Sequence, residues 1–400
     1  MKKGWQTKSL GDVCEFQRGL TYSKGDEVDL SDNIVLRAMN IDLATHLLDF
    51  SDLKYISDEV LVPENKKVKL GSLMICTASG SKSHLGKIAF IDEDYGYAFG
   101  GFMGMLTPSR DLVPKYLFHL MTSGAYEDFI GALADGMNIN NLKFDELRQF
   151  QVPYPPFADQ QRIVGILEEA FEGIATAKAN AEKNLQNARA IFESHLQAVF
   201  TRRGKGWVEK KLEEIGRTQT GSTPKTSDQS NYGDFISFVK PGDFNTDGTL
   251  DYDKDGLSKS GAEGARKVPA GSVLMVCIGA TIGKCGYCEQ DVTTNQQVNA
   301  LTPSDGSFNR FIYYQMLTET FQRKVIHSSG QATLPIINKS KWSALSIWLP
   351  PNAAEQKTIA AQFDALSEET QRLATVYQRK LAALEALKKS LLHRAFSGEL

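Results

Sequence analysis

Residues at spacings that could do chemistry are few in this chain, and each group lacks part of what its reaction needs. Cys277, Cys285 and Cys288 offer three thiolates to a zinc ion. Their Cys-x7-Cys-x2-Cys spacing departs from the paired Cys-x2–4-Cys of structural zinc sites, and no fourth ligand stands near. Gly279-Ala280-Thr281-Ile282-Gly283-Lys284-Cys285 imitates a phosphate-binding loop. It is one residue short between its glycines and lacks the Ser or Thr that would hold magnesium. Pro153-Tyr154-Pro155-Pro156-Phe157 imitates the loop with which amino-methyltransferases hold a base, but a tyrosine replaces the small polar acceptor and no glycine-rich turn for S-adenosylmethionine accompanies it. Glu64-Asn65-Lys66 matches the Glu-x-Lys of nucleases without an upstream Pro-Asp, and the six histidines do not cluster. These residues point to binding rather than catalysis.

The elements that position them form a repeat. Gly4-Trp5, Leu10, Val13, Gln17 and Gly19 recur as Gly206-Trp207, Leu212, Ile215, Gln219 and Gly221. Lys67-Val68 before Gly71-Ser72 recurs as Lys267-Val268 before Gly271-Ser272, Gly86-Lys87 as Gly283-Lys284, and Leu106-Thr107-Pro108-Ser109 as Leu301-Thr302-Pro303-Ser304. The offset drifts only from 202 to 195, so the chain holds two duplicated domains rather than a solenoid of short units. A duplicated molecule with internal pseudo-twofold symmetry suits a ligand with two parts.

Composition sets the class. The 400 residues are 42% hydrophobic and 23% charged, the balance of a folded globular protein. No apolar run approaches the length of a membrane span, and five scattered cysteines fit reduced thiols, so a cytoplasmic location is expected. A net charge of −3 excludes a strongly basic nucleic-acid binder, so any DNA-binding face must come from arrangement.

Within each copy, short β-like runs alternate with Gly and Asp turns. Strands are expected at Ile34–Leu36, Ser72–Thr77, Lys87–Ile91, Ile236–Val239 and Ser272–Ile278, with helices over 116–133, 143–149 and Phe311–Ile326. After each Pro-Pro, glycine nearly vanishes and Ala, Glu, Gln, Lys and Leu dominate, the composition of a long helix. The apolar stripe of the first includes Ile163, Leu167, Ile174, Leu185 and Ile191; that of the second includes Ile359, Phe363, Leu373, Leu381, Leu384 and Leu391, with Thr370 interrupting it. Spacings of three and four make a coiled-coil seam. Neither stripe can be buried alone, so the two helices are expected to pair, antiparallel if a twofold axis relates the halves. The expected fold is α/β of the α+β kind: two globular domains, 1–156 and 204–351, separated by long helices over 157–203 and 352–400 that form an antiparallel coiled coil.

This layout resembles the specificity subunit of type I restriction-modification systems. The resemblance covers nearly the whole chain. It rests on the ordered combination of Trp5, Leu10, Val13 and Gly19 with Trp207, Leu212, Ile215 and Gly221; on the Pro-Pro-x2–3-(Asp/Glu)-Gln-x2-Ile that opens each long helix, Pro155 to Ile163 and Pro350 to Ile359; and on the ending Leu391 to Leu400. It implies two target-recognition domains, each reading half of a split site in double-stranded DNA, with the paired helices as a ruler. It also implies docking of two methyltransferase subunits that methylate adenine and of restriction subunits that act as motor and nuclease. S-adenosylmethionine, ATP and magnesium would then be bound by those partners only, leaving this chain without a cofactor or a catalytic residue.

Base readout needs Arg, Lys, Asn, Gln, Ser or Thr on loops. The first domain offers Arg18, Thr21, Tyr22, Ser23 and Lys24, then Arg37 and Asn40, then Ser79, Ser81, Lys82 and Ser83, then Asn138, Asn140 and Asn141. The second offers Thr220, Ser222, Thr223 and Lys225, then Lys240, Thr281, Asn295, Gln296 and Gln297, with Gln331 and Thr333. Many such stretches serve only as turns or helix caps. Asn295-Gln296-Gln297 aligns with Gly100-Gly101-Phe102 and is either a reader or a framework cluster. Three other readings stay open: a coiled-coil scaffold with protein-binding end domains, an enzyme with duplicated sites, and the specificity subunit of a methyltransferase-only system.

Overall fold

The computed structural model describes residues 4–80, 84–135, 141–304, 308–330 and 334–400. The chain divides into two compact units, Met1–Asn180 with Lys380–Leu400, and Ala181–Arg379.

The first unit opens with β1 (Gln6–Ser9), the single turn α1 (Leu10–Val13) and β2 (Cys14–Arg18). Then come β3 (Glu27–Val28), β4 (Asn33–Leu36), β5 (Lys54–Ile56), β6 (Leu73–Cys76), β7 (Ile88–Phe90), β8 (Ala98–Phe99) and β9 (Met103–Pro108). Helices α2 (Pro114–Leu120), α3 (Gly124–Asp135) and α4 (Phe144–Leu147) precede β10 (Gln151–Tyr154) and the long α5 (Phe157–Arg202). The strands form an antiparallel sheet ordered β2-β9-β6-β7, a second sheet ordered β3-β5-β4-β8 with β4 and β8 parallel, and the pair β1-β10. Alternation along β6 joins two cores. Leu73 and Ile75 pack with the helices, while Met74 and Cys76 pack with Leu36, Ile41 and Phe99.

The second unit repeats the plan. It contains β11 (Val208–Lys211), α6 (Leu212–Ile215), β12 (Gly216–Thr220), β13 (Tyr232–Val239), β14 (Gly256–Leu257), α7 (Lys259–Glu263), β15 (Lys267–Val268) and β16 (Val273–Val276). There follow β17 (Cys285–Tyr287), β18 (Val292–Thr294), β19 (Val298–Pro303), α8 (Asn309–Leu317), α9 (Glu319–Ser329), α10 (Lys339–Ser343), β20 (Ser346–Leu349) and the long α11 (Ala353–Ser397). Its sheets run β12-β19-β16-β17 and β14-β13-β18-β15, with β13 and β18 parallel, and β11 pairs with β20. The repeated polar residues are internal ties. Ser72 and Thr107 hydroxyls meet at 2.9 Å and Ser272 and Thr302 at 2.8 Å, joining the two central strands of each larger sheet.

Two expected helices are each broken in two. In place of one helix over 116–133, α2 stops near Ser123, whose hydroxyl donates to Leu120 O at 2.6 Å and whose carbonyl accepts from Tyr126 N. In place of one over Phe311–Ile326, Thr318 takes an extended conformation (φ −62°, ψ 143°) and its hydroxyl caps Phe321 N at 3.3 Å. A buried hydroxyl that satisfies backbone groups locally competes with continuation of the helix.

The Gln that opens each long helix is a clamp. Gln160 is fully buried; its Oε1 accepts from Val113 N at 2.8 Å and its amide nitrogen donates to Pro155 O at 3.0 Å. Gln356 accepts from Phe308 N at 2.9 Å. Val113 and Phe308 are the residues just before α2 and α8, so the same side chain joins globular domain to long helix in both units.

Within each unit the two long helices run antiparallel. In the first, Arg162 donates to Leu400 O at 3.0 Å and Lys178 pairs with Glu385 at 2.7 Å. Ile163 and Leu167 are buried beside Leu392 and Ala395, with Leu391 packed against them; Ile174, Leu381 and Leu384 are half-buried. In the second, Phe363 is buried with Leu196 and Phe200, Ile359 packs against them, and Leu185 and Leu373 are half-buried. Ile191 departs from the expected stripe, being 51% exposed. Its neighbour Phe192 turns inward instead, with its ring 6.2 Å from that of Phe363 and 6.0 Å from that of Tyr314, because the larger aromatic surface wins the inward position. Thr370 is buried within the seam and satisfies its hydroxyl on Leu366 O at 2.9 Å. Among the described residues, no helix is long and apolar enough to cross a membrane.

Candidate nucleic-acid interface

In the first unit the loops at one end of the larger sheet converge on the turn between β8 and β9. Met103 N donates to Gly100 O at 2.8 Å, closing a four-residue turn from Gly100 to Met103. Gly19 N donates to Met103 O at 3.1 Å and Leu20 N to Phe99 O at 2.7 Å, which brings the segment after β2 onto this turn. Thr77 N and Ala78 N donate to Phe102 O at 2.9 and 3.2 Å, and Ala78 bridges to Asn141. Arg18, Thr21 and Asn141 therefore gather around one turn, all exposed, with Ser79 half-buried beside them. Ser23 and Lys24 are exposed on the continuing loop, where Tyr22 is half-buried.

The second unit builds the same turn from different side chains. Val298 N donates to Asn295 O at 3.2 Å, Gly221 N to Val298 O at 3.0 Å, Ser222 N to Thr294 O at 2.8 Å and Cys277 N to Gln297 O at 2.7 Å. Thr223 donates to Gln296 at 2.5 Å, and both are exposed, as are Lys225 and Thr281. Asn295, in contrast, is buried, and its amide group is spent on Gln297. It is framework; Gln296 and Gln297 are the part of this tripeptide that stays near the surface.

Several other expected readers are occupied. Asn40 is fully buried, donating to Asp49 O and Asp52 O and accepting from Arg37 N, so its side chain shapes a turn. Arg37 pairs with Asp52 at 3.2 Å and Lys240 with Asp255 at 2.9 Å, on the smaller sheet of each unit. Thr220 donates to Asn299 at 2.8 Å, and Ser222 Oγ accepts from Arg266 N at 3.0 Å. Ser81, Lys82, Ser83, Asn138, Asn140, Gln331 and Thr333 lie outside the described residues.

Two basic residues at the site were not among the expected readers. Lys66 Nζ donates to Arg18 O at 2.8 Å, and Arg266 Nη1 donates to Thr220 O at 2.9 Å. Both stand immediately before the repeated Lys-Val, and both clasp the end of the strand that leads into the site. Their shared place before a repeated pair was the available signal.

The motif-like fragments have structural roles. Lys284 of the loop that imitates a phosphate site donates to Phe244 O at 3.0 Å, and Lys87, its repeat, donates to Ala38 O at 3.3 Å. Burial lowers the pKa of Lys87. Cys277 and Cys285 lie in one core and Cys288 in another, so the three thiols do not converge. Burial pushes the Cys277 and Cys288 thiols up to about 12, and they stay protonated. Among the described residues no group of His, Cys, Asp and Glu is arranged to hold a metal ion.

Two copies of one scaffold thus present different polar loops at the same strand ends. The family model described as the type I restriction modification DNA specificity domain matches residues 2–186 and again 204–380. The chain belongs to that family. Each repeat is a DNA specificity domain, and the family supplies recognition rather than catalysis. The chain is 25% identical over 434 residues to the type I restriction enzyme StySPI specificity subunit of Salmonella potsdam, covering 100% of this chain and 90% of that protein. It is 22% identical over 479 residues to the HindI specificity subunit of Haemophilus influenzae, covering 99% of each. It is 31% identical to the EcoKI specificity subunit of Escherichia coli over 220 residues, 54% of this chain and 45% of that one. A chain from a solved type I R-M system shares the fold with a TM-score of 0.81 at 19% identity, covering 100% of this chain and 99% of that chain. The HsdS subunit of Thermoanaerobacter tengcongensis does so with a TM-score of 0.64, also at 19%, covering 100% and 98%.

Proposed function

We propose that this chain is the specificity subunit of a type I restriction-modification complex and reads an asymmetric, two-part site in double-stranded DNA. Residues 1–156 read one half and 204–351 the other, while 157–203 and 352–400 set the spacing between half-sites and carry the docking surfaces for two methyltransferase subunits and the restriction subunits. The observation that supports this best is the pair of equivalent turns, Gly100–Met103 and Asn295–Val298, held by matching backbone hydrogen bonds but bearing unlike side chains. A duplicated framework with diverged loops is what two dissimilar half-sites require.

In this reading the contacting residues are Arg18, Thr21, Ser23, Lys24, Ser79 and Asn141 in the first domain, and Thr223, Lys225, Thr281, Gln296 and Gln297 in the second. Lys66 and Arg266 stand where a phosphate would be met. The chain itself takes no cofactor; S-adenosylmethionine, ATP and magnesium act in the partners. DNA as the target places the complex in the cytoplasm.

The test uses the chain with its methyltransferase subunits on a library of random duplexes. Recovery of a two-part motif that is lost when either half is scrambled or the spacing is altered supports the proposal. Exchange of residues 1–156 for those of a relative should change one half only. Failure to select any two-part duplex would favour the scaffold reading, and change in both halves would overturn the assignment of one half to each domain. Methyl transfer by the purified chain alone would overturn its non-catalytic role.

A further inference from the structure

At one position the equivalent turns carry side chains of opposite chemistry. Phe102 and Gln297 are each the third residue of their turn, and each has its carbonyl held by the backbone N–H that follows the central strand, from Thr77 in one domain and Cys277 in the other. Thr77 Oγ1 donates to Phe102 O as well, at 2.9 Å, so the first turn is fixed by three donors. On this rigid mount the ring of Phe102 is 74% exposed, among the most exposed large apolar side chains described. Its surroundings are polar: Thr21 lies against the turn at Gly101, and Asn141 bridges to Ala78 next to it. Among the described residues the ring makes no aromatic or cation–π contact. A stiff backbone that holds an aromatic group out among hydrogen-bonding side chains suits a ligand with one apolar feature on an otherwise polar edge.

In the major groove that feature is the C5-methyl group of thymine, since the donors and acceptors are polar and the C5–H of cytosine presents much less apolar surface. Resting on the recognition reading above, we propose that Phe102 is a specificity-determining residue of the first domain and selects a thymine in the first half-site by apolar contact with its methyl group. Gln297, at the same position of the second turn, meets its base with the amide NH2, its oxygen accepting from Asn295 at 2.9 Å. The domains thereby differ in the chemistry of readout at one shared point, which the repeat otherwise conceals. Phe102 is on the surface, so its replacement leaves the core intact.

The test is selection from random duplex libraries by the chain assembled with its methyltransferase subunits, one library built with thymine and one with uracil, which lacks only the methyl group. Wild type should prefer thymine at one position of the first half-site and lose that preference by about fourfold in the uracil library, the worth of one buried methyl group. Phe102→Gln should remove the preference at that position and leave the second half-site and the spacing unchanged, and Phe102→Leu should keep it. The proposal is overturned if the Phe102→Gln motif equals that of wild type, or if the thymine preference survives in uracil, which would mark the ring as a wedge between base pairs. If wild type itself selects no two-part motif, the recognition reading fails and this inference with it.

Discussion

A Cβ atom on Gly19 would lie 1.9 Å from the carbonyl oxygen of Gly100, and one on Gly221 would lie 2.2 Å from that of Asn295. The strand that leads into the site and the reading turn therefore pass at backbone contact in both domains, which explains why this glycine is among the residues that recur. Gly19→Ala should displace the Gly100–Met103 turn and destabilise the protein by about 1–3 kcal/mol, the usual cost of overpacking. Urea unfolding measures the loss. Duplex selection should show a weakened first half-site with Gly19→Ala and a weakened second with Gly221→Ala; an unchanged motif would separate the turn from readout.

The contacts between globular domain and long helix are unequal in the two units. Asp364 on α11 pairs with Arg310 and accepts from the Tyr314 hydroxyl at 2.5 Å, while the Arg310 guanidinium lies 4.0 Å from the Tyr287 ring centroid. At the repeated positions, Glu168 on α5 pairs with Lys115 at 3.5 Å, its one ion pair among the described residues, and Lys115 lies 4.5 Å from Phe90. Asp364→Ala is expected to cost about 1–2 kcal/mol, because it leaves two partly buried donors unpaired. Glu168→Ala should cost less than about 1 kcal/mol, as for an exposed pair. Calorimetric melting of the two variants ranks them, and equal shifts would contradict the asymmetry.

His119 sits at 5% exposure against Phe118 and Phe171, with Nε2 unpartnered among the described residues. Burial, with Lys115 and Lys388 nearby, lowers its pKa from 6.5 to about 4. The folded state thus holds the neutral ring, whereas the unfolded chain takes up a proton below its ordinary value. Stability from this group is complete above pH 6.5 and falls as pH drops toward 4, by roughly 3 kcal/mol at the lower limit. Urea midpoints at pH 7 and pH 5 measure the slope, and His119→Phe should flatten its part of it. An unchanged slope would assign the acid sensitivity elsewhere.

If Lys66 and Arg266 each meet a phosphate, replacing either by Ala should weaken all duplexes alike and reduce the slope of log K against log salt by about 0.9. A change of preferred sequence with no change of slope would instead make them base readers. Binding titrations over a range of salt concentrations distinguish the two.

Much of the fold was legible in the sequence, since duplication repeats the residues that packing cannot exchange. Gly19 and Gly221, Gln160 and Gln356, and the Ser–Thr pairs all recur because each is fixed by a close backbone approach or a buried hydrogen bond. The long helices were legible from composition and period, though their seam shifted from Ile191 to Phe192. The two broken helices were less so: Ser123 and Thr318 end them through contacts that residue type does not announce.

The reading residues divide along the same line. The sequence by itself determined that there are two domains of one design, each opening its long helix with the same Pro-Pro and Gln motif and each carrying loops rich in polar groups. Only the tertiary structure decided which of those groups remain free. Asn40 and Asn295 are spent on neighbouring backbone and side chains, Arg37 and Lys240 are paired with carboxylates, and Phe102 is held out on a turn fixed by Thr77 and Ala78. Hydrogen-bonding capacity belongs to the residue type, but its availability depends on which partners the fold brings within about 3 Å.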